Sequence, residues 1–323
     1  MKAITQRSYG PAETLTLDDI DPPTARDGEV LVRVHASSVN HADWATMTGV
    51  PYLSRLAFGL PGPRAKVRGR DLAGTVEAAG AGVTRFRPGD EVYGEAQSGS
   101  FAELVAVPEG RLAPKPARLT FEQAAAVPLA GYTALHCLRK GGITAGQHVL
   151  INGASGGVGT FAVQIAKATG AEVTGVCSTR NADLVTSLGA DHVIDYTREN
   201  YTRGPRRYDL ILDIAGNHPL SAQRRTLTPT GALVLSSATG GRLLGPMARV
   251  IGAVARNRFA GHTLLAPMAV LDAHGLHDLT ELVEAGTVTP SIEQTYPLDE
   301  TPDAMRHFGV RHARAKLVIA VSP

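Results

Sequence analysis

A buried-strand pattern, a turn of small residues and a helical pattern follow one another between residues 148 and 167. The apolar run 149–151 suits a strand that is buried on both faces. The turn reads Gly153-Ala-Ser-Gly-Gly-Val-Gly159, after which apolar residues recur at helical spacing. In a strand–turn–helix unit, free backbone N–H groups and the helix dipole favour an anion at the start of the helix. This stretch therefore predicts a phosphate-binding turn in an α/β fold.

The turn matches the dinucleotide-binding pattern G-x-G-x-x-G, with alanine at the first glycine position. The missing side chains would let a pyrophosphate approach the backbone. A glycine-rich connection in another α/β fold is the alternative, whereas a triphosphate loop is disfavoured because no Gly-Lys-Ser/Thr follows. The residues that we expect to contact the dinucleotide here are Ala154, Ser155, Gly156, Gly157, Val158 and Gly159.

The pattern on either side of this turn indicates two domains, as expected for 323 residues. Up to about residue 120, short strand-like runs are separated by glycine and proline, which is typical of a small barrel. Thr120 with Gln123 then predicts a capped helix start. Beyond it, strands and helices alternate, which predicts a doubly wound parallel sheet. A last strand-like run, 317–321, is expected to return to the first domain.

Charge and cysteine usage exclude several classes of protein. The formal net charge of +2 indicates no nucleic-acid partner. The two cysteines, Cys137 and Cys177, form neither a disulfide framework nor a zinc-knuckle spacing, as in a reduced cytoplasmic protein. No apolar run reaches the roughly 18 residues of a membrane span, and the first residues lack a signal core. We therefore expect a cytoplasmic protein.

The end of the second strand of the α/β region bears on which dinucleotide is bound. NAD-binding folds usually carry an acid there, which binds the ribose 2′-hydroxyl. Here the sequence is Ser178-Thr179-Arg180, without a carboxylate. Since an arginine can bind a 2′-phosphate through paired hydrogen bonds, Ser178 and Arg180 favour NADP(H). The alternative is that Arg180 only faces solvent near the next helix.

Segments spread over nearly the whole chain resemble one family, the zinc-free, quinone oxidoreductase-like branch of the medium-chain dehydrogenase/reductases. The resemblance implies an α/β protein with a GroES-like β-barrel domain, 1–121 completed by 268–323, and a Rossmann domain over 122–267. The segments that carry it, besides the glycine-rich turn, are Val39-Asn40-His-Ala-Asp43, Gly69-Arg70-Asp71-Leu-Ala-Gly74, Val83-x4-Pro88-Gly89-Asp90-Glu-Val, Gly131-Tyr-Thr133-Ala134-Leu, Leu188-Gly189-Ala190-Asp191-x-Val-Ile-Asp195-Tyr196 and His312-Ala-Arg-Ala-Lys316-Leu-Val.

The positions of the zinc ligands can be compared residue by residue. Zinc-dependent relatives place a cysteine where Asn40 stands and a histidine where Arg70 stands, and they carry a four-cysteine lobe that this chain lacks. A catalytic zinc needs three good ligands, which these residues do not supply. We therefore expect no metal. His41 beside Asp43 is the alternative metal site, with a packed histidine as the expected outcome.

Without a metal to lower the pKa of an alcohol, reduction of a quinone or an activated C=C is easier than alcohol oxidation. The resemblance also implies quinone or enone substrates, with NADP(H) as the cofactor. We expect Asn40 to orient the nicotinamide or the substrate carbonyl, and Tyr52 to donate a proton, or else only to line the pocket. We further expect Thr133 and Ser236 to contact the nicotinamide half of the cofactor. Tyr196 is expected to pack near the adenosine phosphate, with a core tyrosine as the alternative, and Lys316 matches a lysine that lies near the cofactor in the family.

Three points stay open at this stage. A non-catalytic NADPH-binding sensor or structural protein, and a zinc-type alcohol dehydrogenase, are the rival functions. The stretch 245–258 predicts a helix that is either a flap beside the cofactor or a plain surface helix. The run 262–265 could be an edge strand that pairs two Rossmann domains, so we expect a homodimer. We also expect that the protein binds a small-molecule substrate and has no membrane span.

Overall fold

In the computed structural model the described residues are 1–236, 262–311 and 313–321. The helix expected over 245–258 lies outside them. Contacts divide the chain into unit 1, Met1–Tyr132 with Val270–Pro323, and unit 2, Thr133–Ala269. The two units are described separately below.

The strands and helices follow the predicted change from β-rich to alternating pattern. The strands are β1 Lys2–Gln6, β2 Leu15–Asp19, β3 Glu29–Ser38, β4 Asp71–Ala79, β5 Glu91–Glu95, β6 Leu104–Pro108, β7 Leu112–Pro114, β8 His148–Asn152, β9 Glu172–Cys177, β10 His192–Asp195, β11 Tyr208–Asp213, β12 Leu227–Leu235, β13 Thr263–Leu265, β14 Ile292–Pro297 and β15 Lys316–Ala320. The helices are α1 His41–Thr48, α2 Arg55–Phe58, α3 Phe121–Ala125, α4 Pro128–Lys140, α5 Gly157–Ala168, α6 Ala182–Ser187, α7 Leu220–Arg224, α8 Ala273–Glu284 and α9 Thr301–Arg311.

Unit 1 is built around a mixed sheet with the strand order β14-β15-β3-β4-β5-β7, and β6 also pairs with β3. The pairs are antiparallel except for β14 with β15. Strand β15 pairs with β3, so the prediction that the last strand returns to the first domain is confirmed. The sheet buries alternate residues of β3, including Val30, Val32 and Val34, as expected for a strand with one face in the core.

Unit 2 contains a sheet with the order β10-β9-β8-β11-β12-β13, in which every pair is parallel. The predicted doubly wound sheet is thereby confirmed. Numbered within the sheet, this order is 3-2-1-4-5-6, the Rossmann arrangement, whose direction reverses between β8 and β11. In such sheets, ligands bind at the carboxyl ends of the strands beside this reversal. The glycine-rich turn follows β8 at that edge.

The start of α3 agrees with the capping signal that its sequence carries. Thr120 accepts a hydrogen bond from the Gln123 backbone N–H at 3.2 Å, and the Gln123 side chain accepts one from Thr120 N–H at 3.1 Å. This reciprocal capping box confirms the expected start of α3. Within the described residues, no helix combines the length and apolar character that crossing a bilayer requires.

Candidate active site

The glycine-rich turn of unit 2 begins at the carboxyl end of β8. Gly153 has a φ of 98°, a left-handed conformation that glycine adopts without a steric penalty. Its N–H and that of Ala154 both donate to the carbonyl of Val176 on the neighbouring β9, at 3.2 and 3.0 Å. These bonds fold the chain back on itself, and α5 then starts at Gly157 with Gly156 as the N-cap.

The two glycines of the fingerprint have different reasons to lack a side chain. A β-carbon on Gly159 would lie 2.1 Å from the Gly153 carbonyl oxygen, so the approach of helix to strand requires glycine there. A β-carbon on Gly156 would meet only that same oxygen, at an ordinary 3.6 Å. Within residues 1–236, 262–311 and 313–321, no contact therefore requires glycine at position 156. The open space lies beside the first N–H groups of α5, which have no acceptor within the helix.

The turn after β9 lies next to the glycine-rich turn. Ser178 caps a short 3-10 turn, Thr179–Asn181, and Arg180 within it is exposed. The buried Asn181 donates from Nδ2 to Ser155 Oγ at 3.0 Å, whereas its Oδ1 is buried without a hydrogen-bond partner. Sequence reasoning did not single out Asn181. An unpaired acceptor in this place, together with the space at Gly156, fits a polar ligand at this edge of the sheet.

A carboxylate to which the sequence analysis gave no role, that of Asp195, contacts the turn that contains Arg180. Asp195 ends β10, and its Oδ2 accepts a hydrogen bond from Thr179 Oγ1 at 2.5 Å. Thr197 donates to its other oxygen through both N–H and Oγ1, at 2.9 and 2.7 Å. The hydrogen bond from Thr179 is the largest cause that lowers the pKa of Asp195. Tyr196, which follows it, has 54% of its surface exposed.

Further polar side chains gather at the carboxyl ends of β8, β11 and β12. Asn152 donates to Asp213 Oδ1 and to Asn217 Oδ1, both at 2.8 Å. Ser236 follows β12, and its N–H donates to the Asp213 carbonyl at 3.0 Å. Thr133, in α4, is half-buried. The structure thus puts Ser236 at the predicted edge, and it adds Asn152 and Asp213, which the sequence analysis missed.

In unit 1, the buried side chains of Asn40, Asp71 and Lys316 contact one another at the start of α1. Lys316 donates to Asn40 Oδ1 at 2.6 Å and to the Val39 carbonyl at 3.1 Å, and its ammonium lies 3.6 Å from Asp71 Oδ2. Asn40 donates from Nδ2 to the same Asp71 oxygen at 2.9 Å. The other Asp71 oxygen accepts from the Leu129 N–H at 3.2 Å, in the first turn of α4, where the helix dipole favours a negative charge.

A second buried ion cluster adjoins the first through Arg70. Its Nε and Nη2 donate to Glu95 Oε1 at 2.8 and 2.5 Å, and Glu95 is only 2% exposed. Arg111 lies 3.8 Å from the other Glu95 oxygen. Asp43, also buried, accepts a hydrogen bond from the Asn40 backbone N–H at 2.9 Å, which fixes the first turn of α1. The structure therefore brings together charges from distant parts of the chain.

Burial changes the protonation of these groups. It raises the pKa of the Asp43 carboxyl to about 7, although the Arg70 guanidinium acts to lower it. It also raises the pKa of Asp71 to about 6, with the Lys316 ammonium opposing the rise. For Lys316 itself, burial lowers the pKa, while Asp71 acts to raise it. Near neutral pH, Asp43 therefore exists in both protonation states.

The residues at the expected zinc positions do not fit a catalytic zinc. The Asn40 amide is held between Lys316 and Asp71, and Arg70 carries a positive charge that is paired with Glu95. Neither side chain is of the cysteine, histidine or carboxylate type that binds this metal. Across the ranges that the structure describes, no three His, Cys, Asp or Glu side chains are grouped to hold a metal ion.

Tyr52 lies in a short 3-10 turn, Tyr52–Ser54, and has 43% of its surface exposed. The Arg55 guanidinium lies 4.7 Å from the centre of its ring and 4.6 Å from that of Tyr9. Arg55 also donates from Nε to the Gly49 carbonyl at 2.9 Å, so the stack is tied to the end of α1. A proton-donating role for Tyr52 and the cofactor role of Lys316 stay predictions.

Comparison with known proteins agrees with both units. The family model "Alcohol dehydrogenase GroES-like domain" matches residues 26–117, and the model "Zinc-binding dehydrogenase" matches residues 188–319. The human mitochondrial "NAD(P)H oxidoreductase RTN4IP1" is 35% identical over 97% of this chain and 87% of its own length. The expected combination of a GroES-like and a Rossmann domain is confirmed.

Two further relatives are similar over the full chain. The chloroplastic "NADPH-dependent alkenal/one oxidoreductase" of Arabidopsis thaliana is 32% identical over 100% of this chain and 80% of its own length. The solved structure of the quinone oxidoreductase from Coxiella burnetii is 30% identical, with a TM-score of 0.88 over 100% of this chain and 99% of that one.

The two fingerprint glycines allow a matched test of the turn. Gly156→Ala should change the free energy of unfolding by less than about 1 kcal/mol, because its backbone (φ −83°, ψ 177°) suits alanine. It should weaken NADPH binding by about tenfold or more, since the methyl group fills space next to the α5 N–H groups. Gly159→Ala should instead destabilise the protein by about 1–3 kcal/mol. Fluorescence titration and chemical denaturation measure the two effects, and a strongly destabilised Gly156→Ala protein would contradict this assignment.

The raised pKa of Asp43 predicts a pH dependence of stability. The native state holds a proton on Asp43 between the ordinary pKa of 3.8 and about 7, whereas the unfolded chain does not. The free energy of unfolding should therefore fall as the pH rises through this window, by up to about 1.4 kcal/mol per pH unit from this group.

Asp43→Asn keeps an oxygen for the Asn40 N–H and removes the titrating group. Urea denaturation between about pH 5 and pH 7 should therefore show a shallower decline for this variant than for the wild type. Asp71 stays in place in both proteins and serves as the internal reference. Equal slopes would mean that Asp43 is already ionised in the native state across this range.

Proposed function

Because the chain belongs to the quinone oxidoreductase-like branch of the medium-chain dehydrogenase/reductase family, we propose that it is an NADPH-dependent reductase of quinones or activated alkenes that works without zinc. The proposal depends on one combination of features within the same chain. The glycine-rich turn has space for a dinucleotide beside Gly156, and Asn40 and Arg70 stand where zinc-dependent relatives are expected to have zinc ligands. The first indicates a nicotinamide cofactor, and the second disfavours the chemistry of the zinc-dependent alcohol dehydrogenases.

The residues of unit 2 fit a dinucleotide. The free N–H groups at the start of α5, the space beside Gly156 and the Ser155 hydroxyl would hold the pyrophosphate. Thr133 and Ser236 would contact the nicotinamide half, and Tyr196 would lie near the adenosine. When bound, the cofactor supplies a hydride to an electron-poor carbon of the acceptor.

The preference for NADPH rests on the turn after β9. Ser178 and Arg180 offer a hydroxyl and a guanidinium to a 2′-phosphate. A carboxylate beside this turn would argue for NADH instead, and Asp195 at the end of β10 is such a carboxylate. Its oxygens accept from Thr179 and Thr197, and Arg198 lies 3.5 Å away, so its charge is engaged within the protein. Fewer acceptor positions on Asp195 therefore remain for a ribose 2′-hydroxyl.

Unit 1 supplies the groups that we expect to orient the reactants and to donate a proton. After hydride addition, the carbonyl or quinone oxygen gains negative charge, which hydrogen-bond donors must stabilise in the absence of a metal. We assign orientation of the nicotinamide or of the substrate carbonyl to Asn40, whose amide is rigidly held by Lys316 and Asp71. Tyr52 is the proposed proton donor, because its phenol is exposed on a turn that Arg55 holds in place.

We also propose that the protein is a homodimer and that it is cytoplasmic. Strand β13 forms the end of the unit 2 sheet as far as the structure describes it, with β12 as its partner. A strand at the end of a sheet can pair with the same strand of a second copy, which supports a homodimer. The sequence favours a cytoplasmic protein, while two of the three relatives named above are mitochondrial and chloroplastic.

Replacing Arg180 tests the choice of cofactor. Arg180→Ala should lower the ratio of kcat/KM for NADPH to that for NADH by about tenfold or more, because one charged pair with the phosphate is lost. Arg203→Ala, which removes the same charge from another exposed position in unit 2, should leave the ratio unchanged. An Arg180→Ala enzyme with the wild-type ratio would remove the basis of the NADPH assignment.

Replacing Tyr52 tests the proton donor within a screen of quinones, enones and enoyl thioesters. Tyr52→Phe should lower kcat for enones by about 10²-fold or more, and NADPH affinity should stay as in the wild type. Tyr9→Phe is the matched control, since it removes the hydroxyl from the other ring stacked on Arg55. Unchanged turnover in Tyr52→Phe would leave Tyr52 as a wall of the pocket. NADPH binding without turnover of any acceptor would favour a non-catalytic protein.

A further inference from the structure

A pocket opens in unit 1 beside the buried ion clusters, and it contains about 420 Å³ of open space including its mouth. Its walls are of two kinds. Phe58, Pro63 and Ala65 supply apolar surface, whereas Asp43, Arg68 and Arg70 supply charge. A pocket with an apolar wall and a few convergent polar groups is the usual form of a small-molecule site.

Arg68 is the unusual member of this lining. Arg68 is only 5% exposed, yet its Nε and Nη2 atoms are buried and have no hydrogen-bond partner in the part of the chain that the structure describes. These two nitrogens carry the parallel N–H bonds of the guanidinium edge, the arrangement that binds both oxygens of a carboxylate. A buried charged donor without an acceptor costs desolvation free energy and gains nothing in return. Such a group in a pocket points to an acceptor that comes with a ligand.

The neighbouring carboxylates are already engaged elsewhere. Glu95 accepts both donors of Arg70 and faces Arg111. Asp43 accepts from the Asn40 backbone N–H. The charge of Asp43 acts to raise the pKa of Arg68. Among the interactions of the described residues, however, Asp43 forms neither a hydrogen bond nor an ion pair with Arg68. Arg68 therefore has positive charge to offer to a bound molecule, next to an apolar wall.

We propose that Arg68 is a specificity residue, which binds the carboxylate of an acceptor whose apolar, unsaturated body lies along Phe58 and Pro63. This inference rests on the proposed reductase function and narrows the acceptor to one class, quinones or enones that carry an acid group. Arg70, held by Glu95, adds positive charge to the same pocket and disfavours cationic acceptors.

The test compares pairs of acceptors that differ in one carboxylate, such as 4-phenylbut-3-en-2-one and its para-carboxylate, together with alkyl enones whose acid group follows two to six carbons. The best acid should exceed its neutral partner in kcat/KM by about ten- to hundredfold. Arg68→Met should abolish this preference while keeping turnover of the neutral partner. Arg64→Met, an exposed arginine four residues away, is the matched charge control and should keep the preference.

Stability separates this role from a structural one. Because Nε and Nη2 of the Arg68 side chain have no acceptor among the described residues, Arg68→Met should have an unchanged or higher Tm, whereas removal of a structural arginine would lower the Tm. A wild-type enzyme without preference for any acid, or an Arg68→Met enzyme that keeps the preference, would overturn the proposal.

Direct binding keeps this test independent of turnover. Benzoate should bind the wild type and Arg64→Met, and fail to bind Arg68→Met, in ligand-observed NMR. If no acceptor is reduced but benzoate binds through Arg68, the proposed function fails and the carboxylate site stands. If acceptors are reduced and benzoate binds all three proteins alike, the site fails and the reductase function stands.

Discussion

Helix α5 starts so close to the end of β8 that the structure leaves no room for a β-carbon on Gly159. This single approach fixes the direction of the helix at the point where the strand order reverses. The N-terminal end of the helix dipole is thereby aimed at the carboxyl edge of the sheet, where an anion is stabilised. Gly156 adds the space that this anion needs. The cofactor assignment depends on this geometry more than on any one side chain.

In unit 1, a network of buried charges surrounds Asn40 and Arg70, the two positions where the resemblance expects zinc ligands in zinc-dependent relatives. Asn40 links Lys316 to Asp71, and Arg70 is bound to Glu95. Buried ions are costly unless each is paired and hydrogen-bonded, and most of these are. Such a network is rigid and positively charged in part, so it can orient a carbonyl and stabilise negative charge. Asn40 and Arg70 are not ligand types that would hold a zinc ion for alcohol oxidation.

Sequence patterns predicted the parts of this structure that depend on neighbours along the chain. The β8–turn–α5 unit, the capping box at Thr120 and the parallel sheet follow from periodicity and short motifs, and these predictions are confirmed. The contacts of Lys316 with Asn40, 276 residues apart, depend on β15 pairing with β3. No local pattern records such pairing. Arg68 looked like any charged residue in the sequence, because burial arises only in the folded chain.

In unit 2, too, the residues that the sequence did not reveal are those brought together by contacts between distant parts of the chain. Asn181 and Asp195 follow neighbouring strands, so both reach the edge where the cofactor is proposed to bind. Strand ends beside a recognised turn are thus the place to search for further polar residues in such a sequence. The expected helix over 245–258 lies outside the described residues.

The central claim is that this family member reduces its acceptor with NADPH and without a metal. The most direct measurement is the steady-state rate of NADPH oxidation by protein treated with a strong chelator, with zinc content determined on the same sample. The account predicts an unchanged rate at a zinc content far below one atom per chain, and no increase when zinc is added. A rate that disappears with the metal and returns with stoichiometric zinc would contradict it.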